Sequence, residues 1–129
     1  MRLEPLYRLS LRYSGIWDAD DVRLLRGEGR AEGRVTGAFT GLNRAHRRSD
    51  GSFEPDYQGV IETEDGASIL WRLTGYGWPS EGRVVATVKH LCHDERYRWL
   101  NDVLCAASGS VRRRDVTMEV SELVWEPLP

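Results

Sequence analysis

Glu62 and His90 are the side chains of this chain that are best suited to moving a proton. Glu62 stands before a turn signal, Glu64-Asp65-Gly66. Inside an apolar lumen its pKa would rise, and the carboxyl could act as a general base or acid. On an exposed strand it would instead pair with Ser68 or Arg72. His90 shares the apolar parity of its strand, where a histidine is either a hydrogen-bonded core residue or a proton shuttle near neutral pH.

A second set of candidates could bind a ligand. Tyr97, Trp99 and Asn101 lie close together on a predicted loop or helical turn. Tyrosine and asparagine can orient a carbonyl or an enolate, and tryptophan can form a pocket wall. The alternative is a structural plug, in which Trp99 caps one end of a barrel and Asn101 satisfies loop backbone. Tyr57 and Trp71 could also line a pocket, and ordinary core packing would explain them equally well.

The sequence predicts no metal and no cofactor. His90, Cys92 and His93 suggest zinc, but residues three apart on an extended strand face opposite ways and a fourth ligand is missing. The glycines from Gly27 to Gly33 do not form a dinucleotide loop, because a strand rather than a helix follows them. The two cysteines make no disulfide framework and are expected to be buried thiols.

Length and composition indicate one globular domain spanning residues 1–129, with 40% hydrophobic and 29% charged residues. A net charge of −2 provides no field that attracts nucleic acid or anionic lipid. No apolar run approaches the ~20 residues that cross a bilayer. The first residues lack the apolar core of a secretion signal. We therefore expect a cytoplasmic protein that binds neither nucleic acid nor membrane.

Alternating hydrophobic residues predict an all-β fold. Short helical turns are expected at Asp18 to Arg26 and at Asp94 to Trp99, each with an aspartate that could cap it. Seven or more strands with turns at short intervals indicate a single antiparallel β-barrel. The predicted strands are Leu3–Tyr13, Gly29–Phe39, Tyr57–Thr63, Ala67–Thr74, Arg83–Leu91, Val103–Arg112 and Val116–Trp125.

The orientation of Glu62 depends on the hairpin that follows it. A three-residue loop, Glu64 to Gly66, pairs Ile61 with Ile69 and leaves Glu62 among polar residues. A two-residue loop, Asp65-Gly66, places Glu62 beside Ile69 and Trp71, since a slip of one residue turns a strand over. The longer loop separates polar from apolar side chains more cleanly and is favoured.

Two phrases carry a resemblance to a known family. They are Glu62-Thr63-Glu64-Asp65-Gly66-Ala67-Ser68-Ile69 and, about thirty residues later, Tyr97-Arg98-Trp99-Leu100-Asn101. With the opening Leu3-Glu4-Pro5-Leu6-Tyr7, the chain resembles the DUF3237 family of uncharacterised proteins over nearly its whole length. The resemblance implies a barrel similar to the allene-oxide-cyclase and dirigent type, and no established reaction. Where the family often has a Gly-Gly-Ala-Asp-Trp-like loop, this chain has Leu42 to Arg47, which suggests a different ligand preference.

Three functions follow from these features. The first is a barrel that binds a small, largely apolar molecule in its lumen. The second is a cofactor-independent lyase, isomerase or cyclase in which Glu62 or His90 transfers a proton and at least three of the side chains of Glu62, His90, Tyr97 and Asn101 converge on one cavity. The third is a structural or interaction protein whose lumen is filled by its own side chains. A homodimer is also expected, because an open barrel would leave the long first strand as a free edge.

Overall fold

The computed structural model describes all residues from Met1 to Pro129. It contains nine antiparallel strands and two 3-10 turns, at Pro79–Glu81 and Arg98–Asp102. None of its helices is long and apolar enough to span a bilayer. The predicted all-β fold is confirmed. The strands are β1 (Arg2–Ala19), β2 (Val22–Gly33), β3 (Gly37–Arg47), β4 (Phe53–Glu54), β5 (Asp56–Thr63), β6 (Ser68–Trp78), β7 (Arg83–Leu91), β8 (Leu104–Arg112) and β9 (Asp115–Val124).

Eight of the strands close into a barrel in the order β1, β2, β3, β5, β6, β7, β8 and β9, and β9 pairs again with β1. The short β4 is additional and bridges β3 and β6 at one end. β1 pairs with β2 from Tyr7 to Ala19 and with β9 from Arg2 to Arg12, so the barrel is closed and only the two ends of β1 are unpaired on one side. The edge argument for a homodimer is therefore wrong.

The period-two pattern determines which side chains enter the barrel. β7 has the predicted bounds, and its alternate residues Val84, Ala86, Val88 and His90 are buried while the residues between them are exposed. Burial of one face of each strand in this way is what drives a small antiparallel sheet to close on itself.

The predicted strand from Gly29 to Phe39 is wrong, because it spans the turn between β2 and β3. Gly33 has a φ of 151°, and the Thr36 hydroxyl donates to its carbonyl oxygen at 3.1 Å. The alternation continues through this turn because Val35, although outside any strand, is fully buried on the apolar parity.

The predicted helical turn from Asp18 to Arg26 is also wrong. β1 continues past the predicted stop at Ser14-Gly15, which forms a bulge between Tyr13 and Gly15. The chain then turns at Asp20, whose φ of 53° is left-handed, and returns as β2. Asp18 accepts two hydrogen bonds from the Arg23 side chain across this hairpin instead of capping a helix.

The second predicted helical turn is present, with its 3-10 segment at Arg98–Asp102. Before it, the Asp94 carboxylate accepts a hydrogen bond from the Arg96 backbone N–H at 2.9 Å. The segment folds across one end of the barrel, and its Cys92 and Leu100 side chains are buried. We refer to this end as the closed end.

Aromatic rings fill the middle of the lumen. The ring centroids of Phe39 and Trp71 are 4.9 Å apart, and those of Tyr57 and Trp71 are 5.3 Å apart. Gly27 and Gly41 make room for Tyr57, because a Cβ at those positions would lie 2.1 Å and 2.7 Å from atoms of its side chain. The central lumen therefore has no space for a ligand.

Candidate functional site

Glu62 and His90 do not share a cavity. The hairpin has the three-residue loop, with Ile61 paired to Ile69 and Glu62 paired to Ser68. Glu62 is consequently exposed on the outer face, where its carboxylate accepts a hydrogen bond from the Ser68 hydroxyl at 2.6 Å. His90 lies inside the barrel and is 6% exposed. The expectation that these two groups act on one substrate is corrected, because the wall of the barrel separates them.

His90 belongs to a buried chain of hydrogen bonds at the closed end. The Trp71 indole N–H donates to the Tyr7 hydroxyl oxygen at 2.9 Å, and that oxygen lies 2.6 Å from His90 Nε2. The indole can only donate, so the Tyr7 oxygen accepts from it, and the Tyr7 hydroxyl proton is donated to Nε2 in the tautomer that carries the ring proton on Nδ1. The imidazole proton is then on Nδ1, which is buried and has no partner.

Burial sets the charge state of this chain of hydrogen bonds. It lowers the pKa of His90 to about 4, so the imidazole is neutral at pH 7. It also raises the pKa of Tyr7 above its ordinary value, so the phenol stays protonated. The side chains of Tyr7, His90, Trp71 and Cys105 are all buried, and the open groove that includes Trp71 and His90 lies on the outer wall beside the exposed Arg72 and Lys89.

The segment from Tyr97 to Asn101 makes the contacts expected of a structural plug. The Tyr97 hydroxyl donates to an Asp65 carboxylate oxygen at 2.8 Å. The Asn101 side chain accepts from the Cys92 backbone N–H at 2.7 Å and donates to the Cys92 carbonyl oxygen at 2.9 Å. Trp99 lies against the Arg34 guanidinium, 4.9 Å from its ring centroid. None of these side chains meets Glu62 or His90, so the four candidates do not converge.

The opposite end of the barrel contains a pocket of about 160 Å³, which we call the mouth pocket. Residues from β1, β2, β3, β4, β6, β7 and β8 surround it, so it is a continuation of the lumen. The extended end of β1 beyond its bulge and the added strand β4 both contribute to the wall. The apolar wall consists of Ile16, Leu25, Ala45, Phe53, Val84 and Val111.

The inner part of the mouth pocket is polar. Tyr13 and Asn43 line it, and the Asn43 amide oxygen accepts the Asp56 backbone N–H at 3.2 Å. Tyr57 stacks beneath Tyr13, with 6.4 Å between the ring centroids, and its buried hydroxyl has no hydrogen-bond partner. Burial raises the pKa of both tyrosines, and the Asn43 side chain offsets part of this effect for Tyr13. Both phenols are therefore protonated at neutral pH.

The outer part of the mouth pocket is cationic. Arg23 and Arg113 are part of its wall. The guanidinium carbons of Arg23 and Arg47 lie 5.5 Å and 5.2 Å from the ring centroid of Phe53. The pocket thus combines an apolar middle, a hydrogen-bonding inner end and a positively charged opening.

A larger groove of about 790 Å³ crosses the outer wall and is open to solvent. His46, at its polar end, is bound to Asp21 at 2.8 Å, and its other end is formed by Val85, Thr87 and Ala106. A shallow groove of this kind does not enclose a small molecule as a pocket does. The mouth pocket is therefore the better candidate.

Sequence analysis missed most of the mouth pocket. Tyr13 and Asn43 each continue the inward parity of a strand, but the first was treated as a strand end and the second as part of a loop. The segment Leu42 to Arg47, where this chain departs from the pattern of the DUF3237 family, contributes Asn43 and Ala45 to the pocket. It does so as part of β3 rather than as a loop. The signal in the sequence that could have found the pocket was a polar residue at a strand position that points into the barrel.

Comparison with solved structures agrees with the fold. A β-barrel-like protein from Acinetobacter baumannii has a TM-score of 0.85 at 23% identity, covering 95% of this chain and 96% of the other. A conserved protein of unknown function from Rhodopseudomonas palustris has a TM-score of 0.87 at 16% identity, covering 95% and 97%. An enzyme from Penicillium herquei has a TM-score of 0.65 at 24% identity, covering 92% and 93%.

No family model and no curated protein matches the sequence. At these identities the solved structures show a shared barrel fold and no shared activity. The chain is thus a small β-barrel whose structural neighbours include proteins of unknown function.

Proposed function

We propose that the protein binds a small, largely apolar molecule in the mouth pocket. The observation that carries the proposal is an enclosed space whose apolar wall surrounds two unequal polar ends, which is the usual composition of a ligand site. The filled centre of the lumen restricts binding to this end of the barrel. Tyr57 then supports the floor of the site, and Trp71 packs the core beneath it.

The volume limits the size of the ligand. A cavity of roughly 150 Å³ lined by apolar side chains accommodates benzene, and the mouth pocket has about 160 Å³. A molecule with one six-membered ring therefore fits, whereas a fused polycyclic molecule would need the wall to move. The Tyr13 hydroxyl and the Asn43 amide provide hydrogen bonds for a polar substituent at the inner end.

The proposal is tested with benzyl alcohol as the probe, followed by amide chemical shifts in NMR titration. Saturable shifts are expected at Leu25, Ala45 and Val84. Replacing Ala45 with leucine fills the pocket, and affinity should fall at least about tenfold, since roughly 1.4 kcal/mol of contact is lost. The control is Ala38→Leu, the same change on the exposed face of the same strand. Equal binding by both variants, or no binding by the unaltered protein, would refute the proposal.

A second candidate function is cofactor-independent proton transfer, as in a lyase, isomerase or cyclase. One observation favours it: the neighbour from Penicillium herquei is an enzyme with a similar barrel. Since Glu62 is outside and His90 lies in packed core, the acting groups would be Tyr13 and Asn43, which can donate hydrogen bonds to a carbonyl that becomes an enolate while hydroxide from the solvent takes the α-proton and becomes water. Faster exchange of the α-protons of phenylacetone in D2O, lost in Tyr13→Phe, would support this function. An exchange rate equal to that without the protein would refute this second function, and ligand binding would remain as the proposed function.

The proposal also includes membership of the DUF3237 family, a cytoplasmic location and assembly as a homodimer. The shared barrel fold and the two quoted sequence phrases support the first of these. Exposed leucines on adjacent strands of the outer wall support the last, since Leu70, Leu91 and Leu104 are 53%, 46% and 43% exposed.

A further inference from the structure

We infer that the ligand of the mouth pocket is an organic acid with a one-ring apolar body, and that its carboxylate binds Arg113. This inference rests on the proposed function, because it names the chemical class that the same pocket selects. It depends on the charges around the opening rather than on the size of the space.

Arg113 is a cation without a partner at the opening. It is part of the pocket wall and forms no hydrogen bond or ion pair with the protein. It occupies the turn between β8 and β9 with a φ of 59°, a left-handed conformation for which such hairpin turns ordinarily use glycine or asparagine.

Three carboxylates near the opening are paired with side chains of the protein, and the pair with Asp18 balances the charge of Arg23, so Arg113 is the unpaired cation of the pocket wall. Asp115, two residues after Arg113, lies 3.2 Å from the Arg12 guanidinium. Asp18 is paired with Arg23 at 2.7 Å. The third, Asp21, is bound to His46.

Further guanidinium groups add to the positive charge. Arg47 packs on Phe53 without a carboxylate partner, and Arg114 donates only to the Tyr13 carbonyl oxygen at 3.3 Å. The opening therefore carries an excess of cationic groups around an apolar cavity.

This arrangement favours a carboxylate over other polar groups. A guanidinium donates two parallel hydrogen bonds to a carboxylate, a geometry that an alcohol cannot match. An ammonium group would be repelled by the same arginines. With its ring in the apolar middle of the pocket, a one-ring acid places its charge at Arg113 while the far side of the ring approaches Tyr13.

The test compares benzoate, benzyl alcohol and benzylamine as probes, by calorimetry or NMR titration with the full chain at pH 7. Benzoate should bind about fivefold more tightly than benzyl alcohol, the advantage of a partly exposed charge pair, and benzylamine should bind most weakly. Arg113→Gln should lower the ratio of benzoate to benzyl alcohol affinity to about one, and Arg113→Lys should retain part of the ratio. Raising NaCl from 50 mM to 500 mM should weaken benzoate binding only.

Arg112→Gln is the matched control, because Arg112 is in the same turn region, is exposed and is not part of the pocket wall. Equal affinity for benzoate and benzyl alcohol would overturn the inference and leave the proposed function standing. A benzoate preference that survives Arg113→Gln, or that is lost equally in Arg112→Gln, would overturn the role of Arg113. If none of the probes binds, the proposed function fails and the inference fails with it.

Discussion

Replacing Tyr7 with phenylalanine should destabilise the barrel far more than the loss of one oxygen atom suggests. Tyr7 is 3% exposed, and its hydroxyl joins Trp71 Nε1 to His90 Nε2. The substitution leaves two buried groups, the indole N–H and the imidazole nitrogen, without a partner. Each unsatisfied group costs about 1–3 kcal/mol, so we expect the free energy of unfolding to fall by about 2–4 kcal/mol.

Tyr57→Phe is the matched control. Tyr57 is 2% exposed, yet its hydroxyl has no hydrogen-bond partner. Removing that hydroxyl leaves no other polar group without a partner. The free energy of unfolding should therefore change by less than about 0.5 kcal/mol or increase slightly. The two variants make the same chemical change at the same burial, and their difference isolates the hydrogen bonds of Tyr7.

Urea unfolding followed by tryptophan fluorescence gives the measurement, with a thermal melt as a second assay. The Tyr7→Phe midpoint should fall by roughly 10 °C, at about 3–5 °C per kcal/mol for a domain of this size. If Tyr7→Phe and Tyr57→Phe are equally stable, the argument that the closed end is held by the hydrogen bonds of Tyr7 is refuted.

Two further predictions concern pH and assembly. His90 has a folded-state pKa of about 4 against 6.5 in the unfolded chain, so the folded state binds fewer protons and its stability should fall as pH drops through this interval. The free energy of unfolding should fall by about 3 kcal/mol through the protonation of His90. His90→Gln should therefore lose less stability between pH 6.5 and 4 in the same urea assay. Parallel pH profiles for the two proteins would contradict this prediction. For assembly, light scattering should give a mass about twice 14.7 kDa. Leu104→Glu should shift that mass toward the monomer, because the leucines on the outer wall are the expected interface. A single monomeric species at high concentration would exclude the dimer.

The architecture was predictable because period-two alternation depends on burial alone. β7 has its predicted bounds, and the loop after Glu62 has the predicted length, since one register separates polar from apolar side chains on both strands. The same signal failed at Val35, which keeps the apolar parity through a turn. It also failed around Asp18, where a pattern compatible with a helix cap occurs in a hairpin.

The candidate site could not be predicted because its residues meet only when the barrel closes. Tyr13 and Arg113 lie far apart in sequence and become neighbours through the closure of β9 onto β1. Glu62 and His90 were chosen for their chemistry, but strand pairing places them on opposite sides of the wall. Periodicity gives the face of each side chain, whereas its height along the barrel depends on the bulge in β1 and on the added strand β4.

The two ends of this barrel differ in how tightly their side chains are packed. At the closed end, buried polar groups satisfy one another through Tyr7, and the loop after β7 is clamped by Asn101 to the Cys92 backbone. Removing one of these side chains would leave buried polar groups without a hydrogen-bond partner. At the mouth, Ala45 and Arg113 surround space rather than packed neighbours, so their substitution removes few native contacts. A barrel built in this way can vary its ligand by changing the mouth while the closed end keeps the fold, which is consistent with a shared fold at 16–24% sequence identity.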